Sequence, residues 1–236
     1  MDIPVPEGQV AQRPLQFFWL ADYSWSMDGR KIATLNQAIL EALPEVRKAV
    51  SIHPEVKVEM RAIKFADQAE WHVGPNPVPV EQFAWPELKT AGLTATAQAI
   101  RLLASQLTTE KMPSRGYPPV CILISDGCCT EAEQEYNDAI AQLDQLSWGK
   151  RAVRLAIAIG DESDYDEAEL LKFVNQKEIG VLKAHSPEQL VQHIRWASVT
   201  ASVGATQGKN NSTSGPNTPN VVLGAAPVVA DDSDVF

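Results

Sequence analysis

The chain has 236 residues, with 20 Lys and Arg against 30 Asp and Glu, a formal net charge of −10. That balance argues against nucleic acid as a partner, because a phosphate-binding surface needs clustered cations. The short basic groups here, Lys150 with Arg151 and Arg154 and Arg61 with Lys64, are expected as solvated helix or strand edges. At 44% hydrophobic and 21% charged residues, the composition is that of one large globular domain able to bury a core.

In chain order, residues 1–12 read as an N-terminal extension. Their opening, Met1 to Gly8, lacks the cationic start and apolar stretch of a secretory signal. Leu15 to Ala21 is a nearly continuous apolar run, expected as a strand covered on both faces. It is closed by Asp22, and no run in the chain reaches the ~18 to 20 apolar residues that span a bilayer, so no membrane insertion is expected. Ile32, Leu35, Ile39, Leu40 and Leu43 then follow helical spacing. Val56 to Phe65 alternates in its first half like an outer strand, and Trp71 to Val73 suggests one more short strand. Pro75, Pro77, Pro79 and Pro86 bracket a loop leading toward Thr94.

The second half repeats the alternation. Ile100, Leu103 and Leu107 predict a helix, Val120 to Ile124 a strand, and Tyr136, Ile140, Leu143 and Leu146 a helix. Val153 to Ile159 is a strand, Leu170, Leu171 and Val174 a helix, and Gly180 to Leu182 a short strand. Ser186-Pro187-Glu188 opens a last helix through Leu190, Val191 and Ile194. The order implies an α/β domain over residues 13–202, a doubly wound, Rossmann-like and mostly parallel sheet flanked by helices. Residues 203–236, rich in Gly, Asn, Ser, Thr and Pro and ending in Asp231-Asp232-Ser233-Asp234, read as a flexible tail. Cys121 and the adjacent Cys128 and Cys129 form neither a disulfide framework nor a C-x-x-C half-site, so a reducing, cytoplasmic setting is expected.

In such a sheet the C-terminal strand ends share one edge, where loops build the ligand site. Asp22 follows the first strand and Asp126 follows the strand ending at Ile124. Both carboxylates are therefore expected on that edge, where neither is cheap to bury unpaired. A divalent cation resolves the conflict. Ser24 and Ser26 add neutral oxygens and Thr94 offers a further hydroxyl, although Thr94 also suits a simple helix N-cap. An oxygen-only set of this kind favours Mg²⁺, or Mn²⁺, over zinc.

Asp22-x-Ser24-x-Ser26-Met27, Gly92-x-Thr94 and Ile124-Ser125-Asp126-Gly127, at these separations, resemble the von Willebrand factor A (VWA) domain and its metal-ion-dependent adhesion site, MIDAS. The resemblance spans roughly residues 13 to 200 and is nearest to the bacterial cytosolic TerY-like type. It implies that Asp22, Ser24 and Ser26 are metal ligands, that Thr94 is a direct or intermittent one, and that Asp126 binds directly or through water. It also implies a non-enzymatic protein-interaction module in which an acidic residue of a protein partner completes the metal. A tellurium-resistance or stress-response assembly with kinase or phosphatase partners is the implied setting. Three features depart from the family pattern: Trp25 stands where a small residue is usual, Leu93 replaces a frequent Gly, and Cys128-Cys129-Thr130-Glu131 replaces an x-Pro-Thr-Asp run. Trp25 is expected either to cover part of the metal or to face the partner.

The other signals are weaker. Asp161 to Glu167 reads as a solvated acidic loop favouring the start of the next helix, with a second cation site as its alternative. His53, His72, His185 and His193 lack zinc-site spacing and read as surface or edge residues. The tryptophans Trp19, Trp71, Trp85, Trp148 and Trp196 read as core or rim packing. The competing functional classes are a Mg²⁺-dependent phosphohydrolase using Asp22 and Asp126, and a structural scaffold with a non-functional metal site.

Overall fold

The computed structural model describes residues 12–126, 129–161, 163–207 and 225–227. Six strands, β1 (Arg13–Asp22), β2 (Val56–Phe65), β3 (Ala69–Pro79), β4 (Val120–Ser125), β5 (Val153–Ile159) and β6 (Val181–Ala184), form one sheet in the order β3-β2-β1-β4-β5-β6. Every pairing is parallel except β2 with β3. Among the described residues six α-helices surround it: α1 (Arg30–Ser51), α2 (Thr96–Ala104), α3 (Glu133–Gln145), α4 (Ser147–Arg151), α5 (Glu167–Phe173) and α6 (Pro187–Gln207). The expected doubly wound architecture is present.

The period-two geometry of β1 divides the core. Phe17, Trp19 and Ala21 pack with Ile122, Ile124 and Leu155 beneath α1 and α6, against Leu35, Ile39, Leu190 and Ile194. Phe18 and Leu20 face the other way, packing with Leu123, Ala156, Ile100, Leu103 and Tyr136 beneath α2 and α3. Each large side chain so enclosed contributes roughly 1.5 to 3 kcal/mol. With both faces covered, β4 is buried throughout and β1 at all but its first two residues, which is why their sequences are apolar without alternation.

Several expectations are revised. The strand suggested by Trp71 to Val73 is eleven residues long, and Pro75, Pro77 and Pro79 belong to it rather than to a loop. As the antiparallel edge strand it tolerates prolines, whose missing N–H groups are not needed by an outer neighbour. β2 is therefore the second strand, not an outer one. Its alternation arises because Val56, Val58 and Met60 face the α1 core while Lys57 is exposed.

Arg61 and Arg154 are buried rather than solvated. Arg61 donates to the side-chain carbonyls of Gln16 at 2.8 Å and Gln106 at 3.2 Å and lies over the Phe18 ring. Burial pulls its guanidinium down to about 10. Arg154 pairs with Asp144 at 2.7 Å. His193, also buried, bonds the Lys183 carbonyl at 2.8 Å through Nε2, and burial lowers its pKa.

The tryptophans behave as expected: Trp19, Trp85 and Trp148 are buried, and Trp71 and Trp196 pack at the core margin. α6 continues to Gln207, past residue 202, and Ala226 packs against the α1–α6 core. Residues 1–11 of the expected extension 1–12 and the rest of the tail lie outside the described residues.

Candidate metal centre

β1 and β4 are paired with Ala21 opposite Ile124. This register brings Asp22 beside Ser125 and delivers Asp126 to the same edge, although 104 residues separate the two carboxylates in sequence. The Ser125 hydroxyl donates to Asp22 Oδ2 at 2.6 Å, and the Ser24 amide donates to Asp22 Oδ1 at 2.8 Å, closing an Asx turn at the strand end. A 3₁₀ turn over Trp25–Met27 then carries Ser26 beside Ser24, with their hydroxyls 3.0 Å apart. Ser26 Oγ donates to Asp126 Oδ1 at 2.6 Å. Four of the five expected ligands, Asp22, Ser24, Ser26 and Asp126, thus lie on one continuous chain of hydrogen bonds.

Thr94 joins through the backbone. The Trp25 amide donates to Gly92 O at 3.0 Å and the Ala91 amide to Tyr23 O at 2.8 Å, tying its loop to the first loop. Thr130 ties the same loop to the segment after β4, its amide donating to Thr94 O at 2.9 Å and its hydroxyl receiving the Thr94 amide at 3.2 Å. Thr94 is buried. It is not the cap of α2: the cap residue is Ala95, and the Glu131 carboxylate accepts from the Ala97 amide at 2.6 Å. Gly92 is required by its loop, since its φ is +71° and a Cβ there would fall 2.5 Å from the Asp67 carboxylate carbon.

The site is graded in depth. Asp22 is fully enclosed and Ser24 and Asp126 nearly so, whereas Ser26 is exposed. Burial raises the Asp22 carboxyl from 3.8 to about 6, outweighing the hydrogen bonds from Ser125 and Ser24 that favour its charge. Lys31, in the first turn of α1, places Nζ 2.7 Å from Asp126 Oδ2 and 3.5 Å from Asp164 Oδ2. Trp25 is 63% exposed, so its indole is turned to solvent rather than packed into the site.

This donor set fits a hard divalent cation. Two carboxylates meet on one edge with hydroxyls between them, and an ammonium already stands against one of them as a counter-charge. Among the described residues no three His, Cys, Asp or Glu side chains cluster as a cage for an ion, so the hydroxyls are essential to any coordination here.

No protein-family model and no curated protein sequence matches the chain. Solved structures do. The ArnB paralog VWA2 from Sulfolobus acidocaldarius is 16% identical with a TM-score of 0.57, over 79% of this chain and 45% of that one. A von Willebrand factor type A protein from Catenulispora acidiphila is 15% identical with a TM-score of 0.58, over 81% and 43%. Proximal thread matrix protein 1 from the mussel byssus, solved with a zinc-occupied MIDAS motif, is 15% identical with a TM-score of 0.56, over 81% and 46%. The chain has the fold of a von Willebrand factor A domain. It spans less than half the length of each of these three solved chains.

Sequence reasoning named five candidate oxygen donors but gave no role to three residues that the structure places in contact with them or with their loops. Ser125 was legible as the residue opposite Asp22 once the strands were aligned. Glu131 stood in the run that departs from the family pattern, and its capping role depends on a contact 34 residues away. Lys31 carries only the signal of a cation in the first turn of a helix, where the dipole disfavours it. The acidic loop behaves as expected toward α5: Asp166 caps that helix by accepting from the Glu169 amide at 3.0 Å.

Proposed function

We propose that the domain is a metal-dependent protein-interaction module, which holds Mg²⁺, or Mn²⁺, through Asp22, Ser24, Ser26, Thr94 and Asp126 and captures an acidic residue of a protein partner. The observation that carries this reading is the hydrogen-bonded chain Asp22–Ser24–Ser26–Asp126 at the carboxyl edge of the sheet. Asp22 and Asp126 supply the negative charge, and Ser24, Ser26 and Thr94 supply neutral oxygens. A divalent ion held by these residues would supply a Lewis acid for a carboxylate oxygen of the partner. Exposed Ser26 marks the side from which a ligand arrives, and Trp25 and Leu93, 63% and 61% exposed, give that side an apolar rim.

In this reading no bond is broken. Asp22, the acid a phosphohydrolase would use as nucleophile, is enclosed with both oxygens engaged. Burial pushes the Cys121 thiol up to about 12 and raises Cys129 as well, which disfavours thiolate chemistry. Among the described residues no helix is long and apolar enough to cross a membrane. We place the module in the cytoplasm, in a TerY-like stress-response or tellurium-resistance assembly with kinase or phosphatase partners.

Affinity purification from native cells tests the reading, with wild type and Asp126→Ala each in Mg²⁺ and in chelator. The same partner should be retained by wild type in Mg²⁺ and lost both on chelation and with the variant. Equal retention in all four samples overturns it. Turnover of phosphate esters in Mg²⁺ above background that is lost in Asp126→Ala would replace it with the enzyme class.

A further inference from the structure

We propose that Lys31 is a tethered competitor for the metal site: its ammonium neutralises Asp126 when the ion is away and transfers to Asp164 when the ion binds. The inference rests on the metal-site reading above and adds a control on its affinity.

Asp126 has a side chain with no solvent exposure, and each of its oxygens is engaged, Oδ1 by the Ser26 hydroxyl at 2.6 Å and Oδ2 by Lys31 Nζ at 2.7 Å. A buried carboxylate needs a counter-charge, and Lys31 supplies it from within the chain. Lys31 also sits in the first turn of the 22-residue α1, where a cation opposes the helix dipole. The helix therefore gives this ammonium no favourable site, and its electrostatic partners are the carboxylates. The second of these, Asp164, is 40% exposed and 3.5 Å from Nζ, close enough to keep the ammonium without large movement of the stem. Asp164 is itself positioned by the Asp161 amide, which donates to Oδ2 at 3.2 Å. A divalent ion that takes Asp126 must first displace an ion pair, so Lys31 sets the affinity below what the oxygen donors alone would give. Asp164 recovers part of that loss by receiving the displaced charge.

Calorimetric titration of Mg²⁺ into chelator-stripped full chain tests this with wild type, Lys31→Met, Asp164→Asn and the double variant. Lys31→Met should tighten binding about tenfold, since the residue keeps its length and loses its charge. Asp164→Asn should weaken binding about threefold in the wild-type background and have no effect in Lys31→Met, where no ammonium remains to be received. Equal or weaker binding by Lys31→Met overturns the competitor role while leaving the metal site intact. An Asp164→Asn effect of the same size in both backgrounds also overturns it, because it would reflect only the general loss of negative charge. If Lys31→Met does not fold without metal, Lys31→Gln replaces it in the single and the double variant, with the same outcomes expected and the same outcomes refuting the proposal. Absence of Mg²⁺ binding in every protein, wild type included, removes both the proposal and the metal-site reading beneath it.

Discussion

Replacing Asp22 by Asn should stabilise the metal-free domain at neutral pH while destroying its response to metal. Burial raises the Asp22 carboxyl from 3.8 to about 6, so the folded state holds a proton more tightly than the unfolded chain does. The sign follows from linkage: stability is fully present below the unfolded value near 4 and is lost as pH rises through the folded value near 6. A displacement of that size corresponds to about 3 kcal/mol, which wild type forfeits above pH 7 unless a cation compensates the charge. Asn has the shape of the protonated acid and can still accept from the Ser24 amide. In chelator at pH 7.5, Asp22→Asn should therefore be more stable than wild type by up to about 3 kcal/mol, and at pH 4 the two should coincide. Urea denaturation at both pH values measures this, and the same experiment in Mg²⁺ should stabilise wild type and leave the variant unchanged. A variant less stable than wild type at pH 7.5 in chelator would refute the reasoning that Asp22 is held in the fold at an electrostatic cost.

Arg61→Ala should destabilise the domain by about 2 to 4 kcal/mol in chemical denaturation, because it strands the buried carbonyls of Gln16 and Gln106 and opens a void over Phe18. Glu131→Ala should cost about 1 kcal/mol by removing the acceptor of the Ala97 amide at the start of α2; it should also increase hydrogen exchange at that amide. Ser125→Ala should lower thermal stability at pH 4 and at pH 7.5, costing about 1 to 3 kcal/mol, since the hydroxyl is a buried donor to Asp22.

The strands and helices that matter for the site were legible because burial on both faces writes itself into composition. Leu15 to Ala21 and Val120 to Ile124 are apolar at every position or nearly so, and only a strand beneath two helical layers needs that. Asp22 and Asp126 stood out as the carboxylates that follow those runs, and the sheet topology alone brings them to one edge. What sequence left open was tertiary in origin. Arg61 and Arg154 are charged residues on strands, and their burial depends on Gln16, Gln106 and Asp144, contributed by distant elements. The prolines of β3 suggested a loop because a strand's tolerance of proline depends on whether a neighbour lies outside it, which is fixed only when the sheet order is known. Lys31 was invisible as a site residue for the same reason, since its two carboxylates lie 95 and 133 positions away.

Paramagnetic broadening by Mn²⁺ of amide resonances in the chelator-stripped protein tests the metal centre most directly, because it reports where the ion sits. Sub-stoichiometric Mn²⁺ should broaden the amides of Asp22, Ser24, Ser26, Thr94 and Asp126 first, and excess Mg²⁺ should restore them. Broadening confined to the acidic loop 161–167, or spread without a centre over the surface, would contradict the account.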